Sequence, residues 1–123
     1  MHKAISVLFW IAALYDGVLG LLFLAAGPAV FERFDVTPPN HWGYVQFPAL
    51  LLLVFAWLFA RVALDPAGRR DLIPFGMGLK AAYCGVVFYH WALAGIPWIW
   101  QPFAILDLAF LALFVWAWSR LGR

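Results

Sequence analysis

The feature that most constrains this chain is a set of four apolar runs, each about as long as a bilayer is thick. They fall at about 5–27, 44–64, 72–94 and 98–118, and a helix rising ~1.5 Å per residue needs roughly 20 residues to cross the hydrocarbon. The joints read "GPAVFERFDVTPPNHWG", "DPAGRRD" and "GIPW", rich in residues that stop helices and form turns. The last joint is short enough to make the third and fourth runs antiparallel neighbours. The expected fold is all-α: one integral membrane domain over residues 1–123, built as an up-down transmembrane four-helix bundle. Composition excludes a soluble fold. With 67% hydrophobic and 11% charged residues, the chain lacks the polar surface that a soluble domain of this size needs.

His2 and Lys3 followed by an apolar run and "LAAG" imitate a secretory signal. The run from Ile5 to Ala26 is longer than a signal core, however, and Asp16 interrupts it, so it reads as a first span. An even number of spans puts both termini and the middle loop on one side. That side carries Lys3, Arg61, Arg69, Arg70, Arg120 and Arg123, and the other carries only Arg33. Positive residues stay inside, so both termini and the middle loop are expected in the cytoplasm. The basic middle loop would touch anionic headgroups. Phe31, Phe34, Trp42, Tyr44, Trp98 and Trp100 form an outer aromatic belt, and Trp116 and Trp118 close the inner end. The segment "PAVFERFDV" reads as a short interfacial helix that Pro38 and Pro39 stop. A net charge of +2, spread rather than clustered, excludes a nucleic-acid partner. The single cysteine, Cys84, excludes an internal disulfide and is expected to pack as a small apolar residue.

Lipid does not push apolar helices together, so a membrane bundle depends on close backbone approach and polar contacts. In the first run Ser6, Ala13, Gly20 and Gly27 recur at heptad spacing, with Phe9, Asp16 and Phe23 between them. The second run offers a similar seam at Gln46, Ala49, Leu53, Ala56, Ala60 and Ala63. In the third, Lys80, Tyr83, Val87 and His90 make one polar stripe. In the fourth, Trp100, Phe103, Phe110 and Phe114 share the face of Asp107.

Counted from the cytoplasmic end, Asp16 and Asp107 lie roughly 16 Å deep and Lys80 about 12 Å. Two carboxylates and one ammonium thus come to a common level, with Tyr83 beside them. Any one of them buried alone would cost ~3 kcal/mol or more. Two readings stand: structural glue that fixes helix register, or a functional site. Charge counting leaves a surplus carboxylate, which implies one protonated Asp or a shared proton. If Lys80 instead snorkels to the cytoplasmic surface, the two Asp residues become neutral donors. A second cluster is expected near the outer face, where His90, Gln46, Gln101, Trp42, Trp98 and Trp100 would line an outward pocket. Glu32, Asp35, His41 and Tyr89 lie nearby. His41 and His90 are isolated in sequence, so no metal site is expected.

An aspartate in "LYDGVLGLLFL", the closing "PFAILDLAFLALF" with its own aspartate, a proline-bearing outer loop and a basic loop after helix two together resemble the small DoxX-like membrane proteins of bacteria. The resemblance spans nearly the whole chain at the level of architecture. It implies a multi-pass protein of the bacterial inner membrane with an accessory or ligand-binding role; that grouping includes membrane partners of oxidoreductases and assembly factors. It assigns no role to the third helix.

Three classes of function follow. The first is a non-catalytic membrane protein: an accessory or assembly subunit, as a homo-oligomer or within a larger complex, or a binder of a hydrophobic ligand such as a lipid or quinone. The second is a proton-coupled small-molecule transporter using Asp16 and Asp107. The third, an intramembrane enzyme, has the least support. There is no cysteine pair for quinone–thiol chemistry, and Ser6, Thr37 and Ser119 lie near span ends or in a loop. Tyr83 and His90 are the only acid–base candidates on the polar stripe. No motif calls for a cofactor.

Overall fold

The structure is a computed structural model that describes residues 2–122. It contains α1 (Lys3–Arg33), α2 (Gly43–Leu64), a 3₁₀ turn (Arg70–Leu72), α3 (Ile73–Leu93) and α4 (Trp100–Leu121), with no strand among the described residues. All four helices are long and apolar enough to cross a membrane. Arg123, one of the residues counted toward the basic side, lies outside the described residues.

α1 is longer than its apolar run because two helices meet across a kink at Ala26, and the second, running to Arg33, is the short helix expected after the first span. Pro28 lies inside it, and Ala26 leaves helical geometry at φ −133°, ψ 25°. A proline has no N–H to donate and its ring crowds the preceding turn, so the first helix breaks at Ala26 and a second short one continues from it at an angle. The bend turns Phe31 inward, where it is buried against Trp42 and Trp100. α3 stops before Gly95, whose φ of +81° reverses the chain in a conformation that glycine adopts without strain.

α1 and α2 are antiparallel along the small-residue seam. The Ser6 hydroxyl donates to the Ala63 carbonyl at 2.6 Å. Further along, a Cβ on Gly17 would sit 3.6 Å from Ala56, and one on Gly20 would sit 2.8 Å from the Ala49 carbonyl oxygen. Gly27 opposes Trp42 and Val45. α3 and α4 form the second hairpin, and the Cys84 thiol donates to the Ala104 carbonyl at 3.3 Å. Cys84 is buried, small and hydrogen-bonded.

The two hairpins meet most tightly at the end that carries the termini. Phe9 stacks on Phe114 at 4.7 Å between centroids, and Phe59 tilts against Phe114 at 5.1 Å. Ile73, Val62 and Ala117 close the cluster around them. Gly76 lets the Phe59 ring against α3, since any Cβ there would collide with it. At the same end Arg70 donates through Nε to the Trp118 carbonyl at 2.9 Å and lies over the Trp118 ring at 4.1 Å. The basic loop is therefore partly tied to the last turn of α4, where a cation complements the helix dipole; Arg69 remains exposed.

Candidate functional site

Above the phenylalanine cluster the three intramembrane charges meet. The Lys80 ammonium lies 2.8 Å from Asp16 Oδ1 and 3.0 Å from Asp107 Oδ1, so one side chain of α3 joins α1 to α4. Asp16 is 0% exposed, Lys80 1% and Asp107 7%. Lys80 thus does not snorkel. Its ammonium is held between the carboxylates and faced by the rings of Phe110 at 5.1 Å, Tyr15 at 5.2 Å and Phe59 at 5.8 Å. Aromatic faces attract a desolvated cation, so they supplement the two hydrogen bonds. The pairing offsets a burial cost that an isolated charge could not bear.

The cluster is incompletely satisfied. Both ion pairs use Oδ1, and Asp16 Oδ2 is buried with no hydrogen-bond partner. The hydroxyl of the neighbouring Tyr15 is buried and unpartnered as well. A change in protonation cannot satisfy Asp16 Oδ2 by itself. As a carboxylate oxygen it lacks a donor; as a hydroxyl it lacks an acceptor.

Directly against this cluster lies a cavity of about 380 Å³, within the range of small-molecule pockets. All four helices wall it, and the wall is almost wholly apolar. Tyr15, Asp16 and Asp107 border one end, and Phe23, Phe31 and Trp100 continue the wall away from the termini. Tyr44 and Leu51 of α2 line the cavity while 70% and 37% exposed, so its mouth opens sideways beside α2. Tyr83 also lines it and donates from its hydroxyl to the Trp100 carbonyl at 3.1 Å, pinning α3 to the first turn of α4.

The residues expected in an outer pocket lie mostly outside this cavity. Of the six, only Trp100 lines the cavity. Trp42 packs edge-on to Phe31, 5.2 Å away, and over Gly27. Trp98 is exposed and edge-on to Phe34 at 5.6 Å. Gln46 and His90 are exposed, His90 meeting the ring of its neighbour Tyr89 edge-on, and Gln101 is half-buried outside the cavity. Gln46 stands on an exposed face of α2 although its neighbour Val45 packs against Gly27, and His90 lies in the last turn of α3. His41 accepts the Gly43 N–H through Nδ1 at 2.9 Å and so tightens the turn that leads into α2. Among the described residues no three of His, Cys, Asp and Glu gather as a metal site would require.

The wall residues that sequence reading missed are mainly Tyr15, Phe23, Phe31 and Phe103. Phe23 and Phe103 stand on the faces that carry Asp16 and Asp107, which was the available signal. Phe31 comes into play only through the bend before Pro28. No family model, no curated protein and no solved structure matches this chain, so the functional reading rests on the site itself.

Proposed function

We propose that this chain is a non-catalytic protein of the bacterial inner membrane that binds a hydrophobic ligand, a lipid or a quinone, between its four helices. In this reading the termini face the cytoplasm, because Lys3, Arg61, Arg69, Arg70 and Arg120 cluster at the terminal end of the bundle and Arg33 stands alone at the other. The single observation that carries the proposal is the apolar cavity of about 380 Å³ that opens sideways beside α2 and ends on the buried Asp16–Lys80–Asp107 cluster. A sideways mouth admits a molecule already dissolved in the bilayer, and the polar floor orients it. The resemblance to DoxX-like proteins supports an accessory or assembly role for such a binder, either as a homo-oligomer or within a larger membrane complex.

Gentle extraction into nanodiscs followed by native mass spectrometry tests the proposal. The wild-type chain should retain a bound hydrophobic molecule. Leu52→Trp, which fills the cavity from α2, should lose it. Repeated recovery of the bare wild-type chain would refute ligand binding.

The unpartnered Asp16 Oδ2 favours one alternative, a proton-coupled small-molecule transporter that uses Asp16 and Asp107. Proton-driven substrate flux in proteoliposomes that disappears in Asp16→Asn would select it. Equal flux in wild type and variant would remove it.

A further inference from the structure

We infer that the ligand of this cavity is an amphipathic amine whose N–H⁺ head seats against Asp16, with its apolar body among the aromatic rings above. The inference rests on the reading of the cavity as a hydrophobic-ligand site and narrows its occupant: a quinone, which has no N–H⁺, is set aside in favour of an amine-headed apolar molecule. Three independent observations converge on it.

The first is the orphan acceptor: Asp16 is fully buried, borders the cavity, and leaves Oδ2 without a donor. The second is the charge count. Asp16 and Asp107 face only Lys80, and one further cation makes the buried set neutral. A proton held by the pair would also balance the charge, but it leaves Asp16 Oδ2 without a partner, which an N–H⁺ head supplies. The third is the wall. Tyr15, Phe23, Phe31, Trp100 and Phe103 line the cavity, and aromatic faces stabilise a cation that has lost its water. Lys80 already uses Tyr15 and Phe110 in this way.

The same features select among amines. A quaternary ammonium has no N–H to give Oδ2. A phosphate-bearing amine lipid would bring an anion beside two carboxylates and into an apolar wall. What remains is a primary, secondary or tertiary amine on an apolar body, entering from the bilayer beside Tyr44 and Leu51.

The test uses the full chain in nanodiscs of phosphatidylcholine, whose head has no N–H. Three probes are titrated, with binding read by native mass spectrometry and thermal shift: 4-phenylbutylamine, its isostere 4-phenylbutanol, and decylubiquinone. The amine should bind one per chain and at least about tenfold more tightly than the alcohol, since a hydrogen bond between two charged groups is the stronger kind. Asp16→Asn should erase that preference. It leaves the Lys80–Asp107 pair neutral and in place, and Leu52→Trp, which keeps all three charges, should abolish amine binding independently. Equal affinity for amine, alcohol and quinone, unchanged in Asp16→Asn, overturns the head-group assignment and leaves hydrophobic ligand binding intact. Failure of all three probes to bind, with Leu52→Trp indistinguishable from wild type, overturns both.

Discussion

At the scale of single residues, Lys80 is the group on which the others depend. Two buried carboxylates face its ammonium at 2.8 and 3.0 Å. Removing it leaves both without a counter-charge, and Lys80→Met should destabilise the protein by about 3–5 kcal/mol, measured by denaturation in detergent micelles. Adding Asp16→Asn and Asp107→Asn to that variant should recover most of the loss, because no unpaired charge then remains buried. A triple variant no more stable than Lys80→Met alone would show that the ion pairs do not set stability. The meeting of these three residues is legible in the sequence, since helical rise converts a residue count into a depth and the charges stand on seam faces. The neighbouring orphan oxygens are not legible. Whether Oδ1 or Oδ2 of Asp16 receives the ammonium depends on side-chain rotation within the packed bundle.

At the scale of elements, the α1–α2 hairpin depends on how closely two backbones approach. Gly20 faces the Ala49 carbonyl so closely that a Cβ would sit 2.8 Å from it, whereas one on Gly17 would rest at an ordinary 3.6 Å from Ala56. Gly20→Ala should therefore cost about 1–3 kcal/mol by forcing the helices apart. Gly17→Ala should be neutral, or stabilising by up to about 1 kcal/mol through helix propensity. Denaturation midpoints of the two variants decide the matter, and equal effects would contradict the seam. The heptad of Ser6, Ala13, Gly20 and Gly27 makes this seam readable in advance. The break before Pro28 and the short helix after it are readable too, because proline interrupts the helical hydrogen bonds; the end of that helix at Arg33, ahead of Pro38 and Pro39, is not. Burial of Phe31 against Trp42 and Trp100 anchors that short helix to the bundle.

At the scale of the whole molecule, the hairpins close on a phenylalanine cluster at one end and part around a cavity at the other. Four spans and their up-down order follow from apolar length and short joints alone. The cavity does not, because it depends on how two hairpins lean against each other, which no periodicity encodes; the outer residues His90, Gln46 and Gln101 lie outside its wall. The proposed orientation is checked by thiol labelling in a Cys84→Ala background. Asn40→Cys should react with an impermeant reagent in intact cells and Ala67→Cys only after permeabilisation; the reverse pattern would invert the protein. The central claim is that Lys80 is held between two carboxylates inside the bundle. The chain has only two lysines, Lys3 and Lys80, so a Lys3→Arg variant labelled with ¹⁵N-lysine and ¹³C-aspartate isolates Lys80 for solid-state NMR in lipid. The side-chain nitrogen should dephase strongly against carboxyl carbons within about 4 Å, as hydrogen-bonded ion pairs require, and should lose that coupling when Asp16 and Asp107 are both replaced by Asn. A lysine signal with no carboxyl within that range, unchanged by those substitutions, would place the ammonium elsewhere and contradict the account.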